Sequence, residues 1–486
     1  MHDALIELRK ELLRLTGARA QARLWRWRGQ PDAACQELGE RLLAWLASDA
    51  TWQSIRGAEA LAGRDSADAL RLHLASSRAK LPLAGAAAAL ASWQSGAVAP
   101  EGSVVPATRA IDRLATCESA RQRAAFAAAL EPSLAGVADR WLDACISSEL
   151  AWSQRLPGGH SRKLRELAER VLENTRPEHE EHLARLKHAA AQRGELAEAG
   201  DPAAPTAWQD LVFMLRAPHL DEIVPNKQRW RRVAQPLLGL GFGSEVDAHL
   251  RAEPSHGGLC PVVALAGQDA PREVRVAPGA VECGALSEML ACEGLARALG
   301  LALVSVALPP ELRCPAQGSV ARAFGSLLGQ LHADAGYQAR RVGLHRRAAD
   351  ELSLHTGVLC LARIRMAAAR VLATAGPERS QSARLERGTG LVSTAMGSRL
   401  PPSVVAMLLG TQQRAALELR VQLAGLALHT GLRERLDEDW YRNPRAQEPL
   451  RAACQRGATL CAERWCSEWN VTLEAGIGRV RELLKG

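Results

Sequence analysis

The residues whose types and spacing could do chemistry lie in "GALSEMLACEGLARAL", positions 284–299. A helix that holds zinc and activates water carries histidines at i and i+4. A glutamate directly after the first histidine serves as general base. Glu288 stands at that glutamate position here, but positions 287 and 291 are Ser287 and Ala291. Serine is a poor metal ligand and alanine is none. The stretch is therefore either an ordinary Ala/Leu helix or a catalytic helix without its ligands. Ser287, Ala291, Gly294 and Ala298 also form a stripe of small residues at helical spacing, which would let a second helix approach closely.

Other candidate constellations are poorer. "HEEH" at 179–182 sets two histidines at i, i+3 on a helix; it could take a metal but shows no third ligand nearby, and the surrounding Glu and Arg predict a solvated face. "GLGFG" at 239–243 lacks G-x-G-x-x-G spacing and follows a helix, so it reads as a turn. "SHGGLCP" at 255–261 reads as a turn before a strand. There is no G-x-S-x-G elbow and no phosphate-binding G-x-x-x-x-G-K-[ST] loop. Ser287 as a nucleophile would need a histidine from elsewhere; His332 and His345 are candidates by sequence order alone. A relocated metal site would draw on Cys283, Glu288, Cys292 and Glu293; Glu288 and Cys292, at i and i+4, share a helix face.

The elements that must position these residues are mostly helical. Apolar residues recur at helical spacing over 3–16, 36–48, 67–78, 119–130, 137–152, 161–174 and 177–194. Thr175 with Glu178 predicts a capping box, with Pro177 in the first turn. After 277 the pattern is helical again over 285–299, 318–335, 338–372 and 402–436. Strand signals are confined to about 246–277, in "CPVVALAG" and "REVRVAP". The stretch 99–107 reads as a loop. The Pro/Gly/Ala-rich stretch 197–207 marks a lobe boundary, giving an N-terminal helical lobe over 1–200 and a second lobe over 208–486.

Composition narrows the function classes. The chain has 486 residues, 47% hydrophobic and 23% charged, with a formal charge of +8. Of its 61 basic residues only six are lysine, and the arginines are spread along helices beside acidic residues rather than clustered. That distribution does not point to nucleic acid. The longest apolar run, 299–310, is too short to span a membrane. The start "MHDALIELRKELLRL" is an amphipathic helix rather than a signal peptide, so a cytoplasmic location is expected. The 11 cysteines show no paired framework and read as buried reduced thiols.

From 148 to the end the chain resembles bacterial peptidases of the oligoendopeptidase F and thimet oligopeptidase family. "LRAPHLDEIVP" (215–225) is similar to the segment before that family's catalytic lobe, and 246–278 to the strands lining its cleft. "GALSEMLACEGLARAL" takes the place of its zinc helix, and "GSVARAFGSLLGQL" (318–331) that of the helix with its third ligand. "DEDWYRNP" (437–444) resembles its C-terminal D-W-x-x-N-P segment. The resemblance implies a mainly α, two-lobed, zincin-type fold with one small β-sheet lining a cleft. It further implies that the ligand positions are Ser287, Ala291 and Arg322, with Glu288 kept as general base. Family members use a C-terminal tyrosine at the oxyanion; the two tyrosines of this chain are Tyr337 and Tyr441.

The expectation is a pseudopeptidase with no metal and no cofactor. It would bind a peptide or protein partner through Ser287, Glu288, Ala291 and Arg322, and pair with itself or an active paralogue. Arg322 is expected to fill the metal's place and pair with Glu288. The alternative is a hydrolase with relocated ligands, or metal-free chemistry based on Glu288. A third reading is a structural subunit assembling through Trp25, Trp27, Trp465 and Trp469.

Overall fold

The computed structural model describes residues 5–14, 33–156, 162–196, 205–223, 229–252, 262–264, 274–276, 287–313, 318–375 and 380–485. Helices dominate them. In chain order they are α1 (5–14), α2 (Ala33–Ala47), α3 (Asp49–Ala62), α4 (Arg64–Ser95), α5 (Ala107–Thr116), α6 (Ala120–Ser153), α7 (Arg162–Asn174) and α8 (Arg176–Gln192). Then come α9 (Trp208–Arg216), α10 (Arg229–Gly239), α11 (Gly243–His249), α12 (Ser287–Ala302), α13 (Pro310–Arg313), α14 (Ser319–Gly329) and α15 (Ala335–Tyr337). The last are α16 (Arg346–Thr374), α17 (Gln381–Met396), α18 (Pro402–Leu409), α19 (Gln412–Leu436), α20 (Gln447–Gln455), α21 (Ala462–Glu468) and α22 (Ala475–Leu483).

The strands are short. β1 (Ala97–Val98) and β2 (Val105–Pro106) form an antiparallel pair; β2 lies within the segment 99–107 expected to be a loop, and β1 just before it. β3 (Thr206–Ala207) runs parallel to β7 (Ser398–Arg399). β4 (Leu250–Ala252), β5 (Val262–Ala264) and β6 (Val274–Val276) form the sheet expected over 246–277, in the order β4-β6-β5. β6 pairs β4 in parallel and β5 antiparallel. No helix among the described residues is long and apolar enough to cross a membrane.

The chain forms two compact units, each assembled from separated segments. One takes 1–78, 223–356 and 420–479; the other takes 79–222, 357–419 and 480–486. The first is tied to its N-terminus by α1, whose Leu5, Leu8 and Leu12 are buried with Leu42, Leu46, Leu70 and Leu74. Arg9 of α1 forks onto both carboxylate oxygens of Glu311, which is wholly buried, at 2.7–3.2 Å. In the second unit Arg123 is equally buried. It pairs with Asp210, donates to the carbonyls of Cys117, Glu118 and Glu195, and lies over the Phe213 ring.

A helix does start at Arg176, with Pro177 in its first turn. The capping box expected there does not form. The Thr175 hydroxyl donates to Val171 O and accepts from Arg365, while Glu178 pairs with Arg481 of α22. Long-range partners outcompete the local cap. "GLGFG" is a turn between α10 and α11, with Gly241 at φ 89°, a backbone region open to glycine.

Candidate functional site

Ser287 opens α12, so Glu288 and Ala291 lie in its first turns. Glu288 is 1% exposed and Ala291 5%. A carboxylate in such a place must be paired. Its partner is Arg232 of α10, which is also buried. Arg232 Nε donates to both Glu288 oxygens at 3.2 Å, and its Nη2 donates to Oε1 at 2.7 Å. His332, in the turn after α14, completes the group. Burial and the charge of Arg232 hold its imidazole down at about 3, so the ring is neutral at ordinary pH. Its Nε2 is buried without a hydrogen-bond partner.

The tight contact of α12 with α14 fixes where Arg322 lies. A Cβ built on Gly325 would come 2.5 Å from Glu293 O, and one on Gly329 would come 3.1 Å from Met289 O. Gly300 in turn meets Ala321 at 3.2 Å. The two helices are therefore antiparallel, and Arg322 is level with the C-terminal end of α12. At 1.5 Å per residue, Glu288 and Gly300 are about 18 Å apart along the axis. An arginine cannot span that gap, so the expected Arg322–Glu288 pair is replaced by Arg232–Glu288. Arg322 itself is half-buried on α14.

The face that admits α14 carries Met289, Glu293, Arg297 and Gly300, not the stripe Ser287, Ala291, Gly294 and Ala298. Close approach comes chiefly from glycines on the opposite helix. Cys292, wholly buried, has its thiol pushed far up by desolvation and next by Glu293 and Glu288. Cys283 and the side chain of Ser287 lie outside what is described.

Both tyrosines lie beside this group. Tyr337 is edge-on to His332 at 5.6 Å and to Tyr441 at 5.3 Å. Tyr441 donates to Asp439, and Trp440 Nε1 donates to His429 Nδ1 at 3.3 Å. Within 437–444, Trp440 and Tyr441 are thus a buried aromatic anchor, while Asp437, Glu438, Arg442 and Pro444 are exposed. Desolvation, then Asp439, raises the Tyr441 phenol, so it remains a neutral donor.

Comparison with solved structures reveals similarity along nearly the whole chain. Trypanosoma cruzi metallocarboxypeptidase 1 superposes with TM-score 0.53 at 11% identity, covering 100% of both chains. An oligoendopeptidase F structure gives 0.52 at 10% identity over 93% of this chain and 84% of that one. PZ peptidase A gives 0.51 at 10% identity over 92% and 84%. The fold is metallopeptidase-like. No protein-family profile matches the chain, and no curated protein does. The mainly helical, peptidase-like architecture expected from the sequence is therefore the observed one.

Two sequence readings are corrected by burial. His179 and His182 of "HEEH" are not on a solvated face; they are 6% and 4% exposed, while the intervening Glu180 and Glu181 face solvent. Trp465 and Trp469 are buried and so do not present an assembly surface. Trp25 and Trp27 lie outside the described residues. Arg232 was missed by sequence reasoning. It sits 56 positions before Glu288 in an arginine-rich helix, and no local spacing marks it.

Proposed function

We propose that this chain is a pseudopeptidase: a metallopeptidase-like protein that binds a peptide or protein without metal-dependent cleavage. The observation that carries this reading is the closed Arg232–Glu288 pair. A general base must release its lone pair toward a water and accept a proton. Protonating Glu288 would strand the Arg232 guanidinium in the core, a costly state. Ala291 offers no lone pair for a metal, and Glu288 is already committed to Arg232. The peptide or protein ligand is inferred from the peptidase-like neighbours. We extend the reading to association with a second copy or an active paralogue, and to a cytoplasmic location, which suits the buried thiols Cys145, Cys360, Cys454 and Cys466.

The test is metal analysis of protein purified without chelator, combined with cleavage assays on a peptide library. The expected result is no zinc bound at Glu288 and no cleavage above background, with peptides binding intact in fluorescence anisotropy. Stoichiometric zinc together with cleavage abolished by Glu288→Gln would overturn the reading.

A further inference from the structure

His179 and His182, which the proposed function does not use, lie one helical turn apart on α8. They line a small enclosed cavity within one of the two compact units. Its free volume is about 10 Å³, room for one water-sized species. The remaining wall is aliphatic, with Leu183, Leu211 and Leu361 among its side chains, except for one group: the thioether of Met396 at the end of α17. The sequence offered two ligands without a third. The fold supplies Met396 from more than 200 positions away.

The backbone brings the end of α17 close to α8 at this cavity. Gly397 follows Met396 at φ 62°, the left-handed region. A Cβ there would stand 2.5 Å from Leu183 Cδ2 and 3.3 Å from His179 Cε1. Only glycine lets the end of α17 lie this close to α8. His179 is nine-tenths buried at the cavity wall. His182 is buried beside it.

We propose that His179, His182 and Met396 form a site for a soft monovalent metal ion of the Cu(I) class. Two imidazoles and a thioether suit such an ion, and carboxylates that would favour a harder one are turned away. Glu178 pairs with Arg481, Glu180 with Arg176 and Glu181 with Arg185. The nearest fixed charge facing His179 from α16 is Arg365, which donates to Ala395 O, Leu172 O and the Thr175 hydroxyl. Its positive charge disfavours a divalent ion more strongly than a monovalent one.

The test is an anaerobic titration of the full chain with Cu(I) against a chromophoric chelator, followed by X-ray absorption. The expected result is one Cu(I) equivalent that Met396→Leu and His179→Phe each lose, with nitrogen and sulphur neighbours around the ion and Zn(II) uptake unchanged. Equal Cu(I) uptake by wild type and Met396→Leu would overturn the proposal. So would a bound ion with sulphur neighbours alone, which would place it on cysteines. Met396→Leu conserves volume, so it carries the test even where His179→Phe fails to fold.

Discussion

Glu288 is a residue whose role can be decided by stability as well as by activity. A working general base sits in a site that tolerates its neutralisation. Here Glu288→Gln removes the partner of a buried guanidinium and is expected to cost about 3–5 kcal/mol, read as a lower urea midpoint. Replacing both partners with apolar residues, Arg232→Met with Glu288→Leu, should recover most of that loss. A stable Glu288→Gln single variant would show that the pair does not govern the site. His332 gives a second prediction at this scale. Its folded value of about 3 lies below the ordinary histidine value of 6.5. The neutral ring's contribution is therefore complete above pH 6.5 and is lost as pH falls toward 3. Between those limits stability should drop by up to about 1.4 kcal/mol per pH unit for this one group. His332→Leu should flatten the slope in urea midpoints across that range; an unchanged slope would assign the pH dependence to other groups. Neither residue's environment was legible locally. Glu288 could be singled out by spacing, but its neutralising partner is set by tertiary packing of α10 on α12.

Among the elements, the α12–α14 pair is brought close by glycines on both helices. Gly325 faces the Glu293 carbonyl with no room for a methyl group, and backbone cannot move aside as a side-chain end can. Gly325→Ala should cost about 1–3 kcal/mol through overpacking. Gly478, within α22, is the internal control, since a Cβ there meets nothing within 4 Å. Gly478→Ala should be neutral or stabilising by about 0.4–1 kcal/mol. Thermal unfolding of the two variants side by side checks both signs. These elements also show what sequence can and cannot reveal. Helix periodicity and the short strands near 262–276 were legible because they depend on near neighbours. The small stripe Ser287–Ala298 predicted a close helix contact, yet the contact uses a different face of α12. Periodicity says that a face is small; it does not say which partner arrives. The burial of "HEEH" was missed for the same reason: flanking Glu and Arg describe the outer half of α8, while α9, α16 and α17 cover the inner half.

At the scale of the whole molecule, chain order and spatial order part company. Composition placed a boundary near 197–207, which would make 1–200 and 208–486 separable pieces. The compact units instead draw on interleaved segments, with 1–78 grouped with 223–356 and 420–479. The Arg9–Glu311 fork lies across 302 positions of sequence and holds α1 against α13. Arg384 likewise forks onto Glu149 across 235 positions, in the other unit. Cutting the chain near 200 removes one partner of each fork and leaves the wholly buried Glu311 and the nearly buried Arg384 without their counter-charges. Stranded buried charges of this kind cost several kcal/mol each, a large share of a domain's net stability. Fragments 1–200 and 208–486 should therefore retain helical circular dichroism without a cooperative thermal transition when expressed alone. Co-expressed, they should recover the transition by completing both cores. Independent, cooperative melting of either fragment would favour the linear division and remove the structural argument for interleaved units.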